Sequence, residues 1–231
     1  MKIHPIASSS KGNAVLVDDG KSKILLDAGI TYKKLAVQCP CKISNINAVL
    51  VSHEHSDHVK AVPELLRRGV ECYASEGTWG ALLGGGAKWP AIPCYHKLQF
   101  QVGTFKIFPF NVAHDANQPF GFMVKSTYSG KKLIYVVDSG VIYFDFKGVT
   151  HWLVEANHYE EGIKNADLDE RVKERILRNH MSFEKLSTFL STSDLSKTEQ
   201  IHLLHLSDGN SNERKFVQDL QRQTGVPVYV H

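Results

Sequence analysis

The residues most able to do chemistry lie in one short segment, residues 53–58, with the sequence His-Glu-His-Ser-Asp-His. His53 and His55 are two positions apart, so on an extended chain their side chains point to the same side and can share one metal ion. Asp57 and His58 follow where the chain turns into a predicted helix, and they can reach a second ion. Imidazole and carboxylate ligands together favour zinc, manganese or iron over magnesium and calcium. The segment therefore predicts a catalytic metal site.

The apolar run 49–51 directly before this segment predicts a buried strand. Open α/β sheets present their functional groups beyond the carboxyl ends of the strands, so the histidines stand at a recurrent place for a site. The alternative is that three histidines in six residues form a chance tract or an affinity patch. Apolar residues at helical spacing follow the segment and favour the structured interpretation: Val59, Val62, Leu65 and Leu66.

The remaining pattern alternates strands and helices. Residues 14–17 and 23–26 predict a hairpin across Asp18-Asp19-Gly20, and residues 59–68 predict a helix closed by Gly69. Further predicted strands cover residues 47–52, 72–73, 98–101, 105–108, 120–125, 133–137, 152–155, 200–206 and 226–230, and further predicted helices cover residues 167–178, residues from Ser182 onward and 212–224. The pattern indicates an α/β fold with helices flanking two packed sheets. Without a Pro- or Gly-rich linker, residues 1–231 predict a single domain.

Composition excludes several protein classes. The net charge of +3 is far from that of a histone-like protein, although it is compatible with a polyanionic substrate. The four cysteines form neither a CxxC pair nor a dense disulfide framework, which indicates a reducing cytoplasm. No stretch approaches the roughly 18 apolar residues of a membrane span, so no membrane association is expected. Cys39 and Cys41 can chelate a metal, but a loop with two free thiols is the favoured interpretation.

Three more ionisable residues each follow an apolar run, as residues 53–58 do. His114 follows residues 108–112, Asp138 follows residues 134–137, and His205 follows residues 201–204. Two ions require more ligands than residues 53–58 supply, and strand ends are where such ligands are expected. The three residues therefore complete a candidate metal set.

With these positions, the chain resembles the metallo-β-lactamase superfamily, whose motif His-x-His-x-Asp-His is present at residues 53–58. The resemblance implies an αββα sandwich, two mixed sheets flanked by helices, with a dinuclear site at one edge of the sheets. It also implies seven ligands at matching positions: His53, His55 and His114 for one ion, Asp57, His58 and His205 for the other, and Asp138 bridging both. Zinc or manganese are the expected metals, with iron as a further candidate.

Six motifs, in the same order, are similar to those of the YycJ/WalJ-like group: residues 8–13 (Ser-Ser-Ser-Lys-Gly-Asn), 51–58, 113–116 (Ala-His-Asp-Ala), 138–140 (Asp-Ser-Gly), 155–158 (Glu-Ala-Asn-His) and 205–207 (His-Leu-Ser). This resemblance implies a metal-dependent nuclease, notably a 5′-to-3′ exonuclease on DNA. The chain has Met181 where the group commonly has leucine. Two such ions lower the pKa of a bridging water and clamp both oxygens of an in-line displacement, so a hydroxide is the expected nucleophile.

Further residues are candidates for roles beside the metals. Asp57 is expected to assist as base as well as to ligate, and His180 is expected to act as an acid or phosphate contact before a helix N-terminus. Asn13 and Ser207 are expected to contact the substrate, although an Asx-type turn is the alternative for Asn13. Glu155 and His158 end a strand near the same edge. His158 is a candidate to approach the site, and Glu155 is equally a candidate partner that orients a ligand histidine.

Three alternatives to a DNA exonuclease follow from the same residues. A phosphodiesterase for small or cyclic nucleotides would use the same metal core and is the first of them. Hydrolysis of a lactam or thioester is disfavoured because the narrower motifs resemble those of nucleases. A metal-stabilised binding protein without turnover would be expected to lack a ligand, and all seven positions are filled. The oligomeric state is not predicted.

Overall fold

The computed structural model describes residues 1–84, 88–207 and 212–231, and the chain divides into two compact units. Unit 1 comprises residues 1–111 and 116–131, and unit 2 comprises residues 112–115 and 132–231. Each unit contains a β-sheet whose parallel strands end in polar residues. The single domain over residues 1–231 stays a prediction.

Unit 1 contains a mixed sheet of six strands in the order of the chain. The strands are β1 (Lys2–Ser9), β2 (Gly12–Asp18), β3 (Lys23–Leu26), β4 (Ala48–Leu50), β5 (Cys72–Ala74) and β6 (Ala91–Pro93). β1 to β3 are antiparallel, and the pairing of Asp18 with Lys23 confirms the predicted hairpin. β3 to β6 are parallel, so their carboxyl ends lie at one edge of this sheet.

The helices of unit 1 are α1 (Tyr32–Gln38), α2 (Ser56–Val59), α3 (Val62–Arg67) and α4 (Glu76–Leu83). The prediction of one helix over residues 59–68 is wrong, because α2 and α3 are separate. Pro63 explains the break: it has no N–H to donate to the carbonyl one turn earlier, and it lies in the first turn of α3, where that loss is tolerated. Gly69, with φ 76°, follows the end of α3 as predicted.

Unit 1 also contains three antiparallel strands, β7 (Phe100–Val102), β8 (Phe105–Asn111) and β9 (Phe120–Ser126). The buried carboxylate of Asp19, in the β2–β3 turn, accepts hydrogen bonds from Thr104 Oγ1 at 2.6 Å and Ser126 Oγ at 2.5 Å. Burial raises the pKa of Asp19, but these hydrogen bonds outweigh it and lower the pKa. The turn is thereby tied to the ends of β8 and β9.

Unit 2 contains four parallel strands in the order β10 (Lys132–Val136), β11 (His151–Glu155), β12 (Gln200–Leu204) and β13 (Val228–Val230). Its helices are α5 (Glu160–Asn165), α6 (Glu170–Asn179), α7 (Phe183–Thr192) and α8 (Glu213–Thr224). Ser182 caps α7 as predicted, because its Oγ accepts a hydrogen bond from Lys185 N at 3.2 Å. Within the described ranges, no helix has both the length and the apolar character that crossing a membrane requires.

His202, on β12, makes stability depend on pH. Burial lowers its pKa to about 3, with smaller contributions from His231 and His151, whereas an unfolded chain would have the ordinary value of 6.5. The folded state therefore binds fewer protons, and stability is lost as pH falls from about 6.5 towards 3.

We expect His202→Gln to flatten this part of the pH dependence. Urea unfolding at pH 7 and pH 5 should show a smaller loss of unfolding free energy for the variant than for the natural chain. An equal loss in both proteins would contradict the assignment to His202.

Candidate metal centre

Polar side chains in both units follow the carboxyl ends of parallel strands. In unit 1, Asp27 follows β3 and residues 53–58 follow β4; in unit 2, Asp138 follows β10, Glu155 ends β11 and His205 follows β12. Asp27, Asp138 and His205 have φ of 56°, 48° and 54°. Non-glycine residues adopt this left-handed conformation at a cost of about 1–3 kcal/mol each, and such strain is concentrated at functional sites.

The histidines of residues 53–58 converge within unit 1. The ring of His53 lies 4.6 Å from that of His55, edge to face, and 4.2 Å from that of His58, measured between centroids. His53 and His58 are buried, and His55 is half-buried. Asp57 Oδ2 lies 3.3 Å from His58 Nε2. The structure therefore brings together the four predicted ligands of this segment.

Asp27 orients this cluster, and sequence reasoning missed it. Its Oδ2 accepts from His58 Nδ1 at 2.7 Å and from Ser52 Oγ at 2.8 Å, while its Oδ1 accepts from Ser52 N at 2.7 Å. Since the carboxylate holds the proton on Nδ1, Nε2 of His58 is the nitrogen presented to a metal. The sequence did carry a sign of its role: Asp27 directly follows the apolar run 24–26, and each predicted ligand outside residues 53–58 also follows an apolar run.

The loop after β3 also fixes the backbone of the histidine segment. Ala28 N donates to His58 O at 2.8 Å, and Ala61 N donates to Ala28 O at 2.8 Å. A Cβ on Gly29 would lie 1.5 Å from Asp57 O, so only glycine allows this close approach. The positions of Asp57 and His58 are therefore set by backbone contacts as well as by side chains.

Asn13 lies beside the same two residues, at the start of β2. Its Nδ2 donates to Ser9 O at 3.1 Å and approaches His58 Nε2 at 3.2 Å and Asp57 Oδ2 at 3.4 Å. The amide of Asn13 is thus directed at the candidate ligands. An Asx-type turn is not formed, because the buried Oδ1 accepts no hydrogen bond from the described residues. Contact of Asn13 with a substrate stays a prediction.

Glu155 occupies the centre of the unit 2 cluster. Its Oε1 accepts from His180 Nδ1 at 2.7 Å and His205 Nδ1 at 2.9 Å, and its Oε2 accepts from Ser139 N and Met181 N. Burial raises the pKa of Glu155, but the charge and hydrogen bonds of its histidine partners bring it to about 2. Glu155 thus makes the contacts of a partner that orients a histidine, the role considered for it from the sequence.

His180 is held in the charged state by these acids. Burial lowers its pKa, but the negative charges and hydrogen bonds of Glu155 and Asp138 outweigh burial and raise the pKa to about 10. Its Nδ1 lies 2.7 Å from Glu155 Oε1 and 3.4 Å from Asp138 Oδ1. His180 is half-buried, so a proton on this side chain is accessible from outside.

The three predicted ligands of unit 2 lie near one another. His205 Nδ1 lies 2.7 Å from Asp138 Oδ1, and His114 Nε2 lies 3.9 Å from Asp138 Oδ2. His114 Nδ1 donates to Asn179 O at 3.3 Å, which directs Nε2 towards the carboxylate. Asp138, Glu155, His180 and His205 also offer ligand atoms within 4.8 Å of one another.

Two other candidates, Ser207 and His158, make contacts within unit 2, and contact of Ser207 with a substrate stays a prediction. Ser207 N donates to Asn157 O at 2.9 Å, and Asn157 Nδ2 donates to His205 O at 2.8 Å, which fixes the chain after His205. His158 is fully buried, and burial lowers its pKa to about 4. His158 therefore packs within unit 2 as a neutral side chain.

The donor sets fit divalent metals. Each unit contributes imidazoles together with a carboxylate, and in each unit a buried acid holds Nδ1 of a candidate ligand: Asp27 for His58 and Glu155 for His205. Metal-binding histidines characteristically make this second contact, which fixes the tautomer and raises the basicity of the other nitrogen. The same donors suit zinc, manganese and iron.

Asp27→Asn should weaken metal binding, because an amide cannot hold the His58 proton as a carboxylate does. We expect a loss of about 10- to 100-fold in metal affinity, typical of such partners. Competition with a fluorescent chelator measures it, with Asp145→Asn, an exposed site, as control. Unchanged affinity would show that Asp27 has only a structural role.

Comparison with known proteins is consistent with this arrangement. The family described as the beta-lactamase superfamily domain matches residues 22–200. The chain belongs to the metallo-β-lactamase superfamily. It is 32% identical to exodeoxyribonuclease YycJ of Bacillus anthracis, over 96% of this chain and 90% of that protein. It is also 32% identical to exodeoxyribonuclease WalJ of Streptococcus pneumoniae serotype 2 strain D39, over 89% of this chain and 81% of that protein.

Solved structures show the same fold. The metallo-β-lactamase fold protein YhfI from Bacillus subtilis aligns with a TM-score of 0.74 and 16% identity, over 99% of this chain and 95% of that one. The predicted fold class is thereby confirmed: the metallo-β-lactamase superfamily chain is an α/β protein with two mixed sheets flanked by helices. The resemblance to the YycJ/WalJ-like group and the prediction of a metal-dependent hydrolase are confirmed as well.

Proposed function

We propose that this metallo-β-lactamase superfamily chain is an exonuclease that hydrolyses DNA from the 5′ end and prefers single strands. The observation that carries the proposal is the pair of buried acids, Asp27 and Glu155, each holding Nδ1 of a candidate ligand histidine. An acid in this position fixes the tautomer of the histidine and makes its other ring nitrogen a better metal ligand. The relatives at 32% identity, both exodeoxyribonucleases by name, support DNA as the substrate.

The proposed ligands are the seven residues at the family's motif positions, with two divalent ions, zinc or manganese, and iron as a further candidate. In this proposal His53, His55 and His114 would hold one ion. Asp57, His58 and His205 would hold the other, and Asp138 would be a ligand shared by both. The contacts within unit 1 and within unit 2 support each part of this set.

The ions, when bound, supply activation of water at neutral pH and neutralise charge on the phosphodiester. The side chains then have separate tasks. Asp57 accepts a proton from the attacking water, and His180 donates one to the leaving oxygen. Glu155 keeps His180 charged and oriented through the 2.7 Å contact with Nδ1. Asn13 and Ser207 contact the substrate beside these groups.

End-labelled DNA tests the proposal. Single- and double-stranded oligonucleotides, labelled at either end, are incubated with the protein and zinc, manganese or magnesium, beside a cyclic nucleotide. We expect mononucleotides released progressively from the 5′ end of the single strand. Turnover of the cyclic nucleotide without cleavage of DNA would replace the proposal by a small-nucleotide phosphodiesterase.

We also propose a cytoplasmic location. All four cysteines are free thiols, Cys39, Cys41, Cys72 and Cys94, and such usage fits a reducing compartment. Cys39 Sγ and Cys41 Sγ lie 3.7 Å apart without a bond between them, in agreement with the favoured interpretation of two free thiols.

A further inference from the structure

A cavity of about 760 Å³ lies wholly within unit 2, beside the residues that the proposed function uses. Five of the residues that line it are close neighbours of those residues in the chain. Ala113 precedes His114, Gly140 and Val141 follow Asp138, and Arg178 and Met181 flank His180 closely in the chain. The cavity therefore adjoins the candidate ligands of unit 2.

The cavity wall and the candidate ligands share one hydrogen-bonded frame. Glu155 Oε2 accepts from Ser139 N at 3.1 Å and from Met181 N at 3.0 Å, while Glu155 Oε1 binds His205. Gly140 N donates to Ala113 O at 3.0 Å. A Cβ on Gly140 would lie 1.8 Å from the carbonyl oxygen of Arg178, so glycine is required for this close packing. These contacts fix the position of the cavity wall relative to Glu155 and His205.

The lining suits a flat heteroaromatic ring. Val141, Ile142, Met181 and Phe189 give apolar walls, and Tyr143 is 74% exposed at the cavity. Carboxylates of Glu160 and Glu184 also line it and can accept hydrogen bonds from ring or exocyclic N–H groups. Lys185 and Thr188 also line the cavity, so apolar and polar side chains are about equally represented. The volume lies within the range of about 300–1,000 Å³ usual for small-molecule sites.

Arg178 links this cavity to the candidate ligands. A second cavity of about 340 Å³, lined by His114, Asp115 and Asn179, shares Ala113 and Arg178 with the first. Over the described ranges of the chain, no carboxylate pairs with the exposed Arg178 guanidinium. Arg178 lines both cavities, and an arginine guanidinium can bind a phosphate group through two parallel hydrogen bonds.

We propose that the 760 Å³ cavity binds the nucleobase of the nucleotide whose phosphate is cleaved. Tyr143 stacks on the base, and Arg178 binds its phosphate. The inference rests on the proposed function, because it takes the substrate to be a nucleic acid. Beyond that function, the inference specifies where the terminal nucleotide binds and explains why the enzyme would require a base at that position.

Titration of metal-free protein tests the pocket without turnover. Deoxyadenosine 5′-monophosphate is compared with 2-deoxyribose 5-phosphate, which lacks the base, by calorimetry. We expect the nucleotide to bind about 5- to 150-fold more tightly, since stacking of a base on an aromatic side chain contributes about 1–3 kcal/mol. Tyr143→Ala should abolish most of this difference and Tyr143→Phe should keep it, while Tyr229→Ala, at an exposed tyrosine on β13, should leave it unchanged. Arg178→Gln should weaken both ligands alike.

Equal binding of the two ligands by the natural chain would overturn the inference. A Tyr143→Ala variant that is folded, as judged by circular dichroism, and still binds the nucleotide more tightly than the sugar phosphate would also overturn it. A DNA strand with an abasic 5′-terminal nucleotide separates this failure from that of the proposed function. Equally rapid cleavage of intact and abasic strands would contradict nucleobase binding in the cavity but would support the proposed exonuclease activity. If the protein binds the nucleotide in a base-dependent manner but cleaves no DNA, the proposed exonuclease activity is contradicted instead.

Discussion

Replacing Asp57 by alanine is expected to lower the rate of metal-dependent DNA hydrolysis by about 10³-fold, which corresponds to roughly 4 kcal/mol of barrier. The side chain is proposed both to hold one ion and to accept a proton, so its removal affects two contributions at once. Its neighbours should remain in place, because His58 is held by Asp27 and by the backbone bond from Ala28. Initial rates on labelled single-stranded DNA at saturating metal measure the effect.

The control for this variant is Asp145→Ala, at an aspartate that is 67% exposed and pairs only loosely with Lys147 at 3.6 Å. We expect its rate to equal that of the natural chain. An Asp57→Ala variant that lost metal but kept its rate would show that hydrolysis does not use this centre.

Replacing His180 by glutamine is expected to lower kcat by about 10²- to 10⁴-fold with little change in KM, as for loss of a general acid. Glutamine can still hydrogen-bond to Glu155, but it cannot supply a proton to the leaving oxygen. The pKa of about 10 in the natural chain reflects the acids around this side chain, and those acids remain in the variant. Single-turnover rates on a DNA substrate measure the loss.

A leaving group that needs no proton distinguishes this role from a structural one. A p-nitrophenyl ester of a nucleotide should be cleaved by His180→Gln at nearly the natural rate. His96→Gln, at a half-buried histidine of unit 1, should behave like the natural chain on both substrates. Equal losses of His180→Gln on DNA and on the activated ester would contradict the role of acid.

The ligand histidines could be predicted because their signal is local. Residues 53–58 begin three residues after the end of β4, Asp138 lies two residues after the end of β10, and His205 directly follows β12. Strand ends are visible in a sequence, since apolar runs and the polar residues after them are contiguous. The fold class followed from the same alternation of strands and helices.

The partners of those histidines were harder to predict, because their contacts join distant parts of the chain. Asp27 meets Ser52 only through the parallel pairing of β3 with β4, and no local motif marks it. For Glu155 the role of an orienting partner could be considered from the sequence, but only the structure shows that it contacts His180 and His205. The break at Pro63 was missed because helical spacing of apolar residues continues across it.

The most direct test of the account is a metal titration of chelator-treated protein. Bound metal per chain and the rate of single-stranded DNA hydrolysis are measured in the same samples as zinc or manganese is added. We expect no hydrolysis without metal, and a rate that rises with bound metal to a maximum near two ions per chain. Full hydrolysis by the metal-free protein, or two bound ions without hydrolysis of any phosphodiester, would contradict it.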